Sequence, residues 1–153
     1  MGIDWGERRI GIALSDESRT IASPHGVVVR TRSLSRDLEE ICRMIRVNSV
    51  EQVVIGMPIR LNGSTGEAAQ EVLGVADTLR AMIELPVETW DERLSTAEAE
   101  RALIGGDVSR RKRKDLLDRV AAAIFLQAYL DRHRETLRQD PERREETGQG
   151  DGS

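Results

Sequence analysis

The spacing of apolar residues changes partway along this 153-residue chain, and that change limits the possible folds more than any other feature. Residues 8–15 (RRIGIALS) alternate, with Ile10, Ile12 and Leu14 on one side and the small Gly11 and Ala13 on the other. This predicts a strand with one face open to something closely packed. Asp4 lies just before it on a first strand, and Gly6 sits where a tight turn between the two is needed. Residues 26–30 (GVVVR) predict a third strand, so the first part reads as a meander. The period then becomes helical: Leu34, Leu38, Ile41, Cys42 and Ile45 share one face, with Glu39, Glu40, Arg43 and Arg46 opposite.

Val53, Val54 and Ile55 form a continuous apolar run ended by Gly56, the pattern of a strand buried on both faces. Ala69, Val72, Leu73, Ala76, Leu79 and Ile83 predict a second helix, opened by a capping box of Ser64 with Glu67. Residues 86–90 (PVETW) predict a fifth strand. Ser95 with Glu98 would cap a third helix through Leu103, and a long fourth helix runs from about Ser109 to His133. A meander followed by strand-helix-strand-helix is an α/β domain with a mixed five-stranded sheet and flanking helices. The carboxyl ends of its parallel strands are where chemistry is expected.

Length allows one domain, over residues 1–138, and is too short for two large lobes. Residues 139–153 hold five acids against two arginines and no apolar periodicity, which predicts a disordered acidic tail. The net charge of -4 is therefore mostly the tail's, and a local basic patch on the body can still bind nucleic acid. No run is long enough to span a bilayer, and the opening Met-Gly-Ile-Asp-Trp-Gly lacks a secretory pattern, so a cytoplasmic location without membrane partners is expected. Cys42 is the one cysteine and cannot pair within the chain; with only two histidines, a Cys/His zinc site is excluded as an expectation. Four aromatic residues are too few for the stacking platforms of single-strand binders.

The carboxylates carry the chemistry. Asp118 falls near the middle of the apolar face of the long helix, among Leu117, Ala121, Ala122, Phe125 and Tyr129, where an unpaired charge costs several kcal/mol. It needs a cation, donors or a metal there, and a salt bridge to an arginine from the sheet is the structural alternative. Asp4 ends the first strand, and Asp91 and Glu92 end the fifth; by alternation only one of the latter two can face the site. If the helix packs across the sheet, with Ala121, Ala122 and Ala123 permitting close approach, these acids converge at one edge. Such a cluster without His or Cys describes a site for Mg²⁺ or Mn²⁺, and two ions about 4 Å apart would clamp an in-line phosphoryl displacement. Arg110, Arg111, Lys112, Arg113 and Lys114 place five cations at the start of that helix against its dipole, which suits a phosphate backbone led toward the metals. A solvated charge run is the plainer explanation. The loop from Gly56 to Gly66, with Arg60, adds glycines and amide donors before a helix, but is not a Walker loop.

Residues Gly2-Ile3-Asp4-Trp5-Gly6 with Arg9-Ile10-Gly11-Ile12-Ala13, Ile55-Gly56-Met57-Pro58 with Asn62-Gly63, Asp91-Glu92-Arg93-Leu94-Ser95-Thr96 with Glu98-Ala99, and Asp118 before Ala121-Ala122 and Leu126-Gln127 resemble, in this order, the YqgF (RuvX) family. The resemblance implies an RNase H-like fold with strand order 3-2-1-4-5, a metal-dependent nuclease, and maturation of the 5′ end of pre-16S ribosomal RNA. Resolution of Holliday junctions is the alternative that likeness to RuvC resolvases implies. Carried over by motif, Asp4, Glu92 and Asp118 are the acidic, metal-binding triad, with Asp91 a further catalytic candidate and Arg60 and Arg93 joining residues 110–114 as nucleic-acid contacts. Gly56 stands where related nucleases of this fold carry their second acid, which leaves Asp91 or Glu92 to substitute. Asp115, outside the family pattern, lies one helical turn from Asp118. Rival readings are a non-catalytic nucleic-acid adaptor and a small phosphotransferase; structured RNA or branched DNA is the expected partner, with the protein a monomer or homodimer.

Overall fold

In the computed structural model, residues 1–58, 63, 66–94 and 109–139 are described. Strands β1 (Gly2–Trp5), β2 (Arg9–Ser15) and β3 (Ala22–Val29) form the meander, and helix α1 (Leu34–Val47) crosses to strand β4 (Val53–Met57). Helix α2 (Glu67–Met82), strand β5 (Val87–Asp91), a single 3₁₀ turn (Glu92–Leu94) and helix α3 (Arg110–Gln139) complete the described elements. The sheet order is β3-β2-β1-β4-β5, with β1 parallel to β4 and β4 parallel to β5. This is the expected mixed sheet.

Alternation along the strands sorts the core into two layers. Ile3, Trp5, Ile10, Ile12, Val53, Ile55 and Val87 face α1 and α2, while Ala13, Ala22 and Val54 face α3. α3 approaches the sheet closely because Gly2 carries no side chain: a Cβ there would sit 3.0 Å from Leu126 Cβ and 3.2 Å from the Ala122 carbonyl. Two polar anchors fix α3 along its length. The Gln127 side chain accepts from Ala22 N at 2.8 Å and donates to the Thr20 carbonyl at 2.9 Å, tying α3 to the start of β3. The Tyr129 hydroxyl donates to Glu88 at 2.9 Å and accepts from Gln52 at 2.7 Å. Burial and the carboxylate of Glu88 push the Tyr129 hydroxyl up to about 12.

Local departures from the sequence reading have physical reasons. β4 does not stop at Gly56 but continues to Met57, because pairing with Trp90 and Asp91 of β5 extends the ladder past the glycine. β3 starts four residues earlier than expected, supported by its long register with β2. α2 has Gly66 as its N-cap with no side-chain cap, so Glu67 is its first residue and not the third of a Ser64 box. α3 runs six residues beyond His133. Leu34 and Leu73 are largely exposed, whereas Asp37 and Val75, not assigned to the apolar faces, are buried. The third helix expected from Ser95, and the acidic tail from residue 140 onward, lie outside the described residues. No helix among the described residues is long and apolar enough to cross a membrane.

Asp37 is buried because a cluster of donors meets it. Its carboxylate accepts from Thr31 N at 2.9 Å and Thr31 Oγ1 at 2.8 Å, and lies 3.8 Å from Arg30 Nε. The same arginine donates to the carbonyls of Gly6 at 3.0 Å and Glu7 at 3.3 Å, pairs with Glu71 at 3.1 Å, and stands 4.8 Å over the Trp5 ring. Trp5 Nε1 in turn donates to Glu71 at 3.1 Å. One guanidinium thus ties the β1–β2 turn to α1 and α2, directly behind Asp4. Arg30→Ala strips Asp37 of its cation and the turn of its clamp; we expect a loss of about 3 kcal/mol of stability, measured by urea denaturation.

Candidate active site

Asp4 points to the α3 side of the sheet, being placed between Ile3 and Trp5, which face the other layer. The register of β1 with β4 pairs Gly2 with Val54 and Ile3 with Ile55, so the next step along β4, Gly56, comes beside Asp4. Gly56 is where the site is made. A Cβ at this position would fall 2.6 Å from Glu92 Oε1, 3.1 Å from Glu92 Cγ and 2.8 Å from Phe125 Cε1. The side chain of Glu92, leaving the 3₁₀ turn after β5, therefore lies over the bare backbone of β4 and meets Asp4 there.

The two carboxyl groups are hydrogen-bonded to each other, which needs a proton between them. Burial, then the charge of Asp4, then that hydrogen bond push Glu92 up to about 7, so below that pH Glu92 holds a proton that it donates to Asp4. Two hard oxygen donors that share a proton when no cation is present form a pair that a divalent cation fits, since it would take the proton's place and satisfy both charges. Among the described residues no third Asp, Glu, His or Cys joins them in a metal-type group.

Asp91 goes elsewhere. It is the last residue of β5, whereas Glu92 opens the 3₁₀ turn, and Arg93 grips it through Nε at 3.0 and 3.1 Å, Nη2 at 2.7 Å and the backbone N–H at 2.9 Å. That pairing holds the Asp91 carboxyl below its ordinary range. Asp91, a catalytic candidate from sequence, is thus paired with Arg93, and Arg93, although 40% exposed at its side chain, is engaged with Asp91.

Residue 118 lies in α3 one turn before Ala122, whose Cβ would be 3.8 Å from a Cβ built on Gly11, which itself would be 3.5 Å from Asp4 Cβ. The side chains of Asp115 and Asp118, and those of Arg110, Arg111, Arg113 and Lys114, lie outside the described residues, as does Arg60. Lys112 is exposed, and its backbone N–H donates to Ser109 Oγ at 3.4 Å, so Ser109 caps α3. What sequence reasoning missed is the Arg30 clamp, which no periodicity signals, since its partners come from three separate elements.

A family model described as "RuvX: Holliday junction resolvase" matches residues 1–132. Among curated proteins, one from Halothermothrix orenii is 47% identical over 131 residues, covering 86% of this chain and 93% of its own, and is named "Putative pre-16S rRNA nuclease". Proteins with the same name from Desulforamulus reducens and Carboxydothermus hydrogenoformans are 44% and 47% identical, each over 86% of this chain and over 95% and 94% of their own. Among solved structures, T. thermophilus RuvC in complex with a Holliday junction substrate superposes with a TM-score of 0.50 at 16% identity, covering 86% of this chain and 93% of that one. That likeness establishes the fold, which is RNase H-like.

The carboxyl pair makes stability depend on pH. Because the folded chain keeps at Glu92 a proton that the unfolded chain releases from its ordinary value of 4.5 upward, stability falls as pH rises from about 4.5 to about 7 and levels off above. Without divalent cation, thermal melts of Glu92→Gln should show less of this decline than the wild type, and added Mn²⁺ should raise the wild-type Tm more at pH 8 than at pH 5.5. Gly56→Ala, which drives a methyl into Glu92 and Phe125, should cost about 1–3 kcal/mol and abolish the Mn²⁺ effect.

Proposed function

The chain belongs to the RuvX family, described as Holliday junction resolvases, and from that premise we propose that it is a metal-dependent nuclease hydrolysing phosphodiester bonds in the 5′-end maturation of pre-16S ribosomal RNA. The observation that carries the reading is the Asp4–Glu92 pair, two carboxyl groups, from β1 and from the 3₁₀ turn after β5, brought together over the bare backbone of Gly56. Nothing in packing explains such an arrangement, since two like charges brought together at a half-buried site destabilise the apoprotein. A substrate whose reaction gathers negative charge on phosphoryl oxygens, with cations between it and the protein, does explain it.

In this reading Asp4, Glu92 and Asp118 would hold Mg²⁺ or Mn²⁺, and two such ions would suit an in-line displacement. When bound, the ions supply the positive charge that orders a water for attack and offsets the charge developing on the phosphoryl group. The protein's own contribution is placement. β1 and the 3₁₀ turn set the separation of the two carboxylates, Gly56 gives Glu92 its seat, and the Arg30 clamp behind the β1–β2 turn keeps Asp4 from shifting. Glu92 must give up its shared proton before it serves as a ligand, so activity should climb as pH rises through about 7. The basic residues 110–114 at the start of α3 are assigned to the phosphate backbone, and the soluble reaction partner is structured RNA.

A second reading, cleavage of four-way DNA junctions, is favoured by the description of the family model. Both substrates present the same phosphodiester to the same carboxylates. Labelled pre-16S fragment and labelled four-way junction, incubated with Mn²⁺ or with chelator, separate the two. We expect Mn²⁺-dependent cleavage of the RNA, lowered at least about 100-fold in Asp4→Asn and in Glu92→Gln while their melting curves remain cooperative. Equal cleavage by wild type and Asp4→Asn would mean that a contaminant cuts; binding without any cleavage would mean an adaptor.

A further inference from the structure

The α3 side of the sheet is covered unevenly. Toward one end of β2 and β3, Ala13 and Ala22 are 0% and 2% exposed beneath α3; toward the other, Val27 and Val29 of β3 are 46% and 71% exposed. The bare end begins at Asp4. Gly11 faces the Asp4 side chain, since a Cβ on it would stand 3.5 Å from Asp4 Cβ, and Val27 is the cross-strand partner of Gly11. Two residues before Gly11, Arg9 leaves the same face of β2, about 7 Å farther along the strand, and its cross-strand partner is Val29. Asp4, Gly11 and Val27 thus form one row across the sheet, and Arg9 with Val29 forms the next.

Arg9 is exposed and, among the described residues, makes no side-chain hydrogen bond or ion pair, unlike Arg30 and Arg93, which are spent on Asp37, Glu71 and Asp91. A guanidinium that is unengaged among the described residues, one row beyond Asp4 on the same face, is placed to receive an anion, and a fork of donors matches a phosphate. The two valines beside it are exposed and apolar, a surface suited to the sugar edge of a nucleotide and without groups that would read a base.

We propose that Arg9, Val27 and Val29 form a shelf for the nucleic-acid strand next to the scissile phosphate, Arg9 holding a neighbouring phosphate and the valines its sugar. The proposal rests on the nuclease reading and adds to it a contact that is independent of sequence and lies on the sheet, apart from the basic start of α3. The occupant is a phosphodiester strand and not a second copy of the chain: the shelf is continuous with the carboxyl pair, and its one charge is complementary to phosphate.

The test is equilibrium binding, in chelator, of labelled pre-16S fragment and of labelled four-way DNA junction, by fluorescence anisotropy across a salt series. Arg9→Gln should lower the slope of log affinity against log salt by about 0.7 to 0.9 on whichever substrate the wild type binds, and Arg9→Lys should restore the slope. Arg46→Gln, an exposed arginine of α1 on the opposite side of the sheet, should leave it at the wild-type value. With Mn²⁺ present, Arg9→Gln should raise KM more than it lowers kcat. Val29→Asp should weaken binding without altering sedimentation. The shelf is overturned if Arg9→Gln keeps the wild-type slope, or if Val29→Asp dissociates a dimer while binding is unchanged; in either case the wild type still cleaves and the nuclease reading stands. A wild type that neither binds nor cleaves removes both.

Discussion

Two carboxylates that repel one another are held together at the edge of a sheet, and much of the molecule is arranged so that they stay there. The constraint is steric before it is electrostatic. Glu92 reaches Asp4 only because β4 has no side chain at Gly56, where even a methyl group would stand within 2.6 Å of the glutamate oxygen. A glycine in the interior of a central strand weakens that strand. Here it frees the volume that a carboxylate from the neighbouring strand fills, so the acid reaches the site from β5 instead of β4.

The surrounding layers serve the same placement. α3 lies close over Gly2, and its Phe125 closes the other side of the Gly56 slot. Behind the sheet, Arg30 binds two carbonyls of the β1–β2 turn, the ring of Trp5 and the acids of α1 and α2, so the residue next to Asp4 is packed from below while Asp4 itself faces the open edge. The repulsion between Asp4 and Glu92 is thus opposed by rigid backbone on both sides. The apoprotein relieves it with a shared proton, which a cation would displace.

Most of the scaffold was legible in the pattern of apolar residues, because strands and helices that bury one face must repeat at two or at 3.6 residues. Sequence also offered Asp4 and Glu92 as candidates, through motif and through the rule that functional side chains gather at the carboxyl ends of parallel strands, and the fold brings these two carboxyls together. Periodicity failed where tertiary contacts replaced local ones. Ser64 and Glu67 match a capping box, yet the helix begins at Glu67, with Gly66 before it. Leu34 and Leu73 fit their helical stripes yet are exposed, and Asp37 breaks its stripe because Thr31 and Arg30 meet it from outside the helix.

By itself, then, the sequence determined the order of elements, the mixed sheet and the set of acids from which a site is built, since these follow from local periodicity and from chain connectivity. Motif favoured Glu92, but which of the two adjacent acids, Asp91 or Glu92, faces the site stayed open. Only the tertiary structure separated them: Asp91 ends β5 and is neutralised by Arg93, while the gap over Gly56 admits Glu92, from the 3₁₀ turn that follows, to Asp4. That choice depends on which backbone lies beside which, a property of strand register that no single segment of the chain encodes.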